Sequence, residues 1–293
     1  MLKAIGLSWS RYRDWKKRFG QPNKHNGKIP RDFWLEPWEI KAIVDYKHNH
    51  LDIGYRRLTY MMLDKDVVAV SPSTTYRILK KHGLTSNWNN KKISHKKKGF
   101  TQPTKPHEHW HIDISYINFN GTFLFLIAIL DGFSRYIVHH ELRVNMQEYD
   151  VEVVLERALE KYPGVHPRVI SDNGPQFLSL EFKKFIKQAQ LTHVRTSVNH
   201  PQSNGKLEAF HKTIKVECIR QESMLNLEDA RRIVAEFVYE YNMERLHSGI
   251  GFITPYDMLS GKAEEIFKER DRKLEEARKR RQLNAKNKLK NAA

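Results

Sequence analysis

His109 to Leu130 run HWHIDISYINFNGTFLFLIAIL. The first half alternates, with Trp110, Ile112, Ile114 and Tyr116 on one side and Asp113 on the other, the period-two pattern of a strand with unlike faces. Asn120-Gly121 is a two-residue hairpin signal, and Phe123 to Leu130 is an unbroken apolar run that reads as a strand buried on both faces. RYIVHHEL, residues 135–142, adds a third strand. Beyond it the pattern predicts a helix over Val151 to Lys161, a strand at Arg168 to Ser171, a helix from Leu178 to Gln190, a strand from Thr192 to Ser197 and a helix from about Gly205 to Ile219. Three antiparallel strands followed by alternating helices and strands predict an α/β fold, a mixed sheet with helices on its faces.

Ahead of this core the pattern is helical. Residues 8–19, SWSRYRDWKKRF, predict a short basic helix capped by serine and ended by Gly20, and residues 21–31, with Pro22, Gly27 and Pro30, a linker. A helix from Pro37 to about Lys47 presents Trp38, Ile40, Ile43 and Val44 as a core-facing stripe. From Gly54 to Leu84 the signals predict helix, turn, helix: Tyr55, Leu58, Met61 and Met62 share a face, Ser71 and Pro72 open the second helix, Ile78 and Leu79 turn inward, and Gly83 stops it. Ser73, Thr74, Arg77, Lys80 and Lys81 would then face outward, hydroxyls and cations suited to the base edges and phosphates of a major groove. The plainer reading of the same residues is a solvated basic face.

Residues 86–106 hold KK, KKK and two prolines, an exposed basic linker at a domain boundary. After a helix from Asn226 to about Arg245 and an irregular stretch, HSGIGFITP, the sequence is almost wholly charged from Lys262 to Lys290, with Glu264 and Lys268, and Glu276 and Arg280, at i,i+4 spacing. That predicts a solvated helix, with nucleic-acid contact by Arg278 to Arg281 as the other reading. The expected organisation is a helical DNA-binding region over 1–85 with its helix-turn-helix at about 51–84, the linker over 86–106, a core over 107–260 and a charged helix over 261–293.

With 293 residues, 40% hydrophobic and 11% aromatic, the chain has material for one sizeable core and a smaller domain, which excludes wholesale disorder and a disulfide miniprotein. Cys218 is the single cysteine, so neither an intrachain disulfide nor a cysteine-based zinc site can form, and a reducing cytoplasm is expected. No apolar run approaches the roughly 20 residues of a membrane span. The 51 basic and 34 acidic residues give +17, and residues 1–109 alone carry 23 basic against 9 acidic. Charge so concentrated is the footprint of a polyanion partner, because each neutralised phosphate releases counterions.

Three acids stand out by context. Asp113 lies within the first strand; Asp172, followed by Asn-Gly-Pro, lies where the fourth strand ends, the edge at which open α/β sheets place ligands. Glu208 follows HPQSNGK, a loop leading into a helix, with Lys215 seven residues further along the same face. If these carboxylates converge, oxygen-only ligation selects a hard cation such as Mg²⁺ or Mn²⁺, and two such ions suit in-line displacement at phosphorus.

The strings HWHIDISYI, ISDNGPQF and HPQSNGKLEAFHKTIKVE resemble the three blocks of DDE transposases with a retroviral-integrase-like catalytic core. YNMERLHSGIGFITPYDML resembles the end of that core, and YRRLTYMML with VSPSTTYRILKKHGL resembles the helix-turn-helix preceding it in second-frame products of bacterial insertion sequences. The likeness spans about residues 50 to 260. It implies a ribonuclease H-like fold, metal-binding carboxylates at Asp113, Asp172 and Glu208, two Mg²⁺ ions that Mn²⁺ can replace, and Lys215 near the donor DNA end, with Lys212 on the same helix. Asn173, His200, Gln202 and Asn204 match the surroundings of the family's active site. The zinc module of retroviral integrases is missing, and no heptad zipper of the kind found in an upstream frame appears.

The expected function is therefore a bacterial, nucleoid-associated DNA transposase, cleaving element ends and joining them to target DNA without a covalent enzyme intermediate. It would act as a homo-oligomer on two DNA ends, with or without an upstream-frame helix-turn-helix partner. The alternatives are a DNA-binding regulator without catalysis and a nuclease of the same fold.

Overall fold

The computed structural model describes residues 6–20, 34–85, 102–119, 121–195 and 205–290. Helix α1 (Trp9–Arg18) begins at Ser8, whose side chain accepts the Arg11 N–H, and buries none of its residues. Helices α2 (Pro37–His48), α3 (Tyr55–Asp64) and α4 (Pro72–Lys81) pack around Ile43, Leu58, Met62, Val68, Val70 and Leu79. Inside this small domain the Thr59 and Thr75 hydroxyls, both fully buried, meet at 2.9 Å and tie α3 to α4.

The α4 N-terminus follows its sequence. Ser71 accepts the Thr74 N–H and Pro72 opens the first turn, where a missing N–H costs nothing. Ser71→Ala is expected to destabilise this domain by roughly 0.5–2 kcal/mol in urea denaturation. Ser73, Arg77, Lys80 and Lys81 are exposed, as expected for an outward face. Thr74 is half-buried instead, because its hydroxyl is drawn into the cap by Ser71 at 3.0 Å and receives Arg77 Nη2 at 3.3 Å.

The core is a five-stranded sheet in the order β3-β2-β1-β4-β5, made of β1 (His109–Phe119), β2 (Thr122–Asp131), β3 (Ile137–Arg143), β4 (Arg168–Ser171) and β5 (Thr192–Arg195). The first three are antiparallel; β4 joins β1, and β5 joins β4, in parallel. Phe119 pairs with Thr122 across the hairpin, and Gly121 takes φ 81°, a left-handed conformation that glycine adopts without strain. The apolar run of β2 is buried on both faces from Leu126 onward, whereas Phe123, beyond the covering helices, is 55% exposed and meets the equally exposed Tyr116 edge-on.

One face of the sheet is covered by α5 (Glu148–Lys161), α6 (Pro175–Leu178) and α7 (Leu180–Gln188), packed on Trp110, Ile112, Ile127 and Ile129. The other is covered by α8 (Gly205–Ile214) and α9 (Leu227–Met243), packed on Ile117, Leu124, Leu126 and Ala128. Between these two helices, Lys215–Ile219 form a π-helical turn. None of the described helices is long and apolar enough to cross a membrane.

The charged C-terminal segment departs from its expected solvated state. After α10 (Pro255–Leu259), α11 (Ala263–Lys290) lies against the N-terminal helices. Arg270 forms a forked pair with Asp64 at 2.7 and 2.8 Å, donates to the Gly251 and Phe252 carbonyls, and stacks on Tyr60. Lys273 reaches Asp66 and the Leu63 carbonyl. Arg281 grips both oxygens of Glu39, which is fully buried, at 3.0 Å, and donates to the Ala69 carbonyl; Arg280 adds a third contact to Glu39 and lies over Trp38. Of the expected i,i+4 pairs Glu264–Lys268 forms, whereas Glu276 pairs with Arg272 because Arg280 is drawn to Glu39, and the inner face of α11 is bound to residues some two hundred positions earlier. Gly251 makes the close passage possible, since it has φ 80° and a Cβ there would lie 2.7 Å from the Phe267 ring.

Candidate active site

Asp113 sits mid-strand on the sheet face covered by α8. The β1–β4 register pairs His111 with Ile170, and its continuation by two residues brings Asp113 level with Asp172, just past the end of β4. Asp172 is held by its own turn: Oδ1 accepts the Gly174 N–H at 2.9 Å, and a Cβ on Gly174 would lie 3.1 Å from that oxygen and from Gln176 Oε1, so this close turn favours glycine. Glu208 lies in the first turn of α8 and is exposed, and Leu207, Phe210 and Ile214 anchor the helix in the core below it.

Electrostatics link the three acids. Burial pushes the Asp113 carboxyl up to about 7; the Asp172 and Glu208 carboxylates push the same way, against the Ile114 N–H and Lys215. Asp172 and Glu208 thus lie within electrostatic range of Asp113. Among the described residues no three acidic, imidazole or thiol groups stand close enough together to hold one ion. The donor set still fits a hard divalent cation, because oxygens dominate it and a cation would relieve both the burial and the mutual repulsion at Asp113.

Lys215, half-buried, opens the π-helical turn and contributes to the field at Asp113. Lys212 is exposed, as is Asn173 in the turn after Asp172. His200, Gln202 and Asn204 lie outside the described residues.

His211 is a neighbour that the reading of the acids passed over. Its Nδ1 stands 3.6 Å from Asp113 Oδ2, its Nε2 is buried without a hydrogen-bond partner, and burial, with Lys215, holds its pKa down at about 4. A neutral imidazole therefore lies against this acid at neutral pH. The signal in the sequence was its place three residues after Glu208, on the adjacent turn of one helix.

A cavity of about 720 Å³ beside β3 lies elsewhere, and Arg143 and Arg157 in its wall are already paired with Glu141. It has none of the chemistry gathered around Asp113.

Two family models, each described as an integrase core domain, match residues 103–201 and 189–255, and an HTH-like domain model matches residues 36–92. The transposase for insertion sequence element IS629 of Shigella sonnei is 27% identical over 87% of this chain and 88% of its own length. A protein of insertion element IS407 of Burkholderia multivorans is 24% identical over 73% of this chain and 77% of its own. A chain of the simian T-cell lymphotropic virus intasome, solved in complex with the PP2A regulatory subunit B56 gamma, shares the fold with a TM-score of 0.50 at 16% identity, covering 74% of each chain. The mixed sheet is accordingly of the ribonuclease H-like type.

Proposed function

The chain belongs to the integrase-core family of insertion-sequence transposases, and from that premise we propose that it cleaves the ends of a mobile DNA element and joins them to target DNA. The observation that carries this reading is Asp113, a half-buried carboxyl raised toward neutrality and within electrostatic range of Asp172, Glu208 and Lys215. Asp113, Asp172 and Glu208 would hold the divalent metal, Mg²⁺ or Mn²⁺, as a pair of ions. Bound there, the metal supplies Lewis-acid stabilisation of the attacking and leaving oxygens at phosphorus.

The chain's own residues supply position. The Asp172 turn fixes one carboxylate, α8 carries Glu208 and Lys212, the π-helical turn that follows carries Lys215, and both lysines offer cations to the DNA backbone beside them. The α4 face, with Ser73, Thr74, Arg77, Lys80 and Lys81, would read the element end. Asn173, His200, Gln202 and Asn204 are assigned to DNA around the acids. Action on two ends calls for a homo-oligomer in the bacterial cytoplasm. The domain division proposed is the helical DNA-binding region over 1–85, the linker over 86–106, the core over 107–260 and the charged helix over 261–293.

The direct test is strand transfer by the purified chain, with a labelled end carrying a free 3′-hydroxyl, target plasmid and Mg²⁺. Joined product that disappears with chelator is expected. DNA binding without joining, restored by no divalent metal and no upstream-frame protein, would overturn the reading in favour of a regulator. Hydrolysis without joining would make the chain a nuclease. Lys80→Ala is expected to flatten the slope of log affinity against log salt by about 0.9 without changing metal-dependent hydrolysis of a pre-bound end, measured by fluorescence anisotropy.

A further inference from the structure

Arg135 lies in the tight loop between β2 and β3, closed by Asp131 N–H to the Tyr136 carbonyl and Arg135 N–H to the Asp131 carbonyl. Its φ is 68°, in the left-handed region where a side chain is disfavoured. The guanidinium is half-buried, yet it makes no hydrogen bond or close ion pair to any described residue, and its Nε is fully buried. Backbone and solvation both weigh against an arginine here, and among the described residues only the fields of Tyr241 and Asp131 favour its charge.

The nearest carboxylate is already engaged. Asp131, fully buried, takes the His107 N–H on Oδ1 at 2.8 Å, and the Ser134 N–H and hydroxyl on Oδ2 at 2.7 and 2.6 Å. Lys206 brings a second cation to the loop and spends one donor on the Gly132 carbonyl at 2.7 Å. On the far side, Glu217 is gripped by Arg245 and approached by Arg57 at 3.7 Å. Tyr241, whose phenol lies within electrostatic reach of Arg135, buries its hydroxyl without a partner. Arg135 and Lys206 thus share Asp131, while Arg57 and Arg245 share Glu217, with Glu240 also within electrostatic reach of Arg57.

The way in is over Gly249. It is exposed, and a Cβ there would stand 3.8 Å from Arg135 Nη2 and 3.2 Å from the His247 ring, so the missing side chain leaves the edge of the guanidinium open.

We propose that Arg135 and Lys206 form a site for one phosphate group, a phosphodiester of bound DNA that approaches over Gly249. A guanidinium fork matches two phosphate oxygens, and a lysine beside it adds a point charge. Lys206 precedes Glu208 by two residues on α8, so a phosphate held here is gripped at the helix end that carries a proposed catalytic acid. This assignment rests on the DNA-joining reading and deepens it.

The test uses the full chain and Arg135→Gly, which keeps the left-handed backbone and removes the guanidinium together with its aliphatic stem. Thermal unfolding, duplex-DNA anisotropy over a salt series, and stabilisation by inorganic phosphate against chloride at equal ionic strength are measured. The expected variant unfolds at or above the wild-type temperature, binds DNA about eightfold more weakly at 0.1 M salt, and shows a salt slope shallower by about 0.9, the loss of one phosphate contact. Inorganic phosphate is expected to stabilise the wild type and not the variant. Loss of stability in Arg135→Gly, which would give the guanidinium a role inside the fold, overturns the proposal. So does an unchanged affinity and slope; if phosphate still stabilises only the wild type, the site takes a free anion rather than DNA. A wild type that binds no DNA defeats the function reading itself, and the phosphate arm alone then decides whether the anion site exists.

Discussion

Glu208→Gln and Asp172→Asn are each expected to lower Mg²⁺-dependent strand transfer by about 10³-fold or more, while circular dichroism and duplex-DNA affinity stay near wild type. The Lewis-acid contribution at phosphorus is worth several kcal/mol, and each 1.36 kcal/mol is tenfold in rate. An amide is isosteric with the acid but carries no charge to hold a cation. Glu208 is exposed in the first turn of α8 and Asp172 is fixed by a local turn, so neither change empties the core. Joining retained at even a tenth of the wild-type rate in Glu208→Gln would remove that residue from the metal site. A second readout is independent of turnover: Mn²⁺ titration followed by thermal shift should stabilise the wild type and leave the variants unmoved.

The other large effect lies far from the acids. Glu39→Ala is expected to cost roughly 3–5 kcal/mol, because it leaves Arg281 buried beside an empty space and unpaired. Arg281 has only 8% of its side chain exposed, and Glu39 none. Urea denaturation of the full chain measures the loss, and a change under about 1 kcal/mol would mean that α11 is held by other contacts. The pair also sets a pH dependence. Burial raises the Glu39 carboxyl, but Arg281, the Glu36 N–H and Arg280 outweigh it, and the result lies below the ordinary 4.5. A carboxylate lowered in the folded state contributes stability that is complete above its unfolded value and is lost as pH falls through the folded one. The docking of α11 should therefore hold at neutral pH and loosen in acid below about pH 4.5, a change that Glu39→Gln removes.

Much of the architecture was open to a reader of the sequence because it rests on local periodicity. The alternation about Asp113, the Asn-Gly hairpin and the Ser71-Pro72 cap are each written within a few residues of where they act. The same is true of the acids, since a strand, a turn after a strand and a helix start could each be placed. What stayed hidden was long-range or small in scale. Arg281 looks like one more solvated charge until Glu39, 242 residues earlier, is known to face it. Arg135 hides in a different way: Gly132 marks a turn, but the left-handed residue is the arginine three positions later. The π-helical turn at Lys215 to Ile219, which swings Glu217 toward Arg245 and Arg57, has no pattern of its own.

The grip of Arg281 on Glu39 also imposes a schedule on synthesis. A ribosome makes the helices around Leu79 first, and at about 5–20 residues per second it needs some 10 to 40 s more to reach position 281. During that interval Glu39 must stay hydrated or protonated, since its arginine partners do not yet exist, and the first domain waits in an unfinished state. A nascent polypeptide therefore cannot complete the first helical domain until the sheet and the segment beyond it have been made, and fragments released early would lack the piece that seals it.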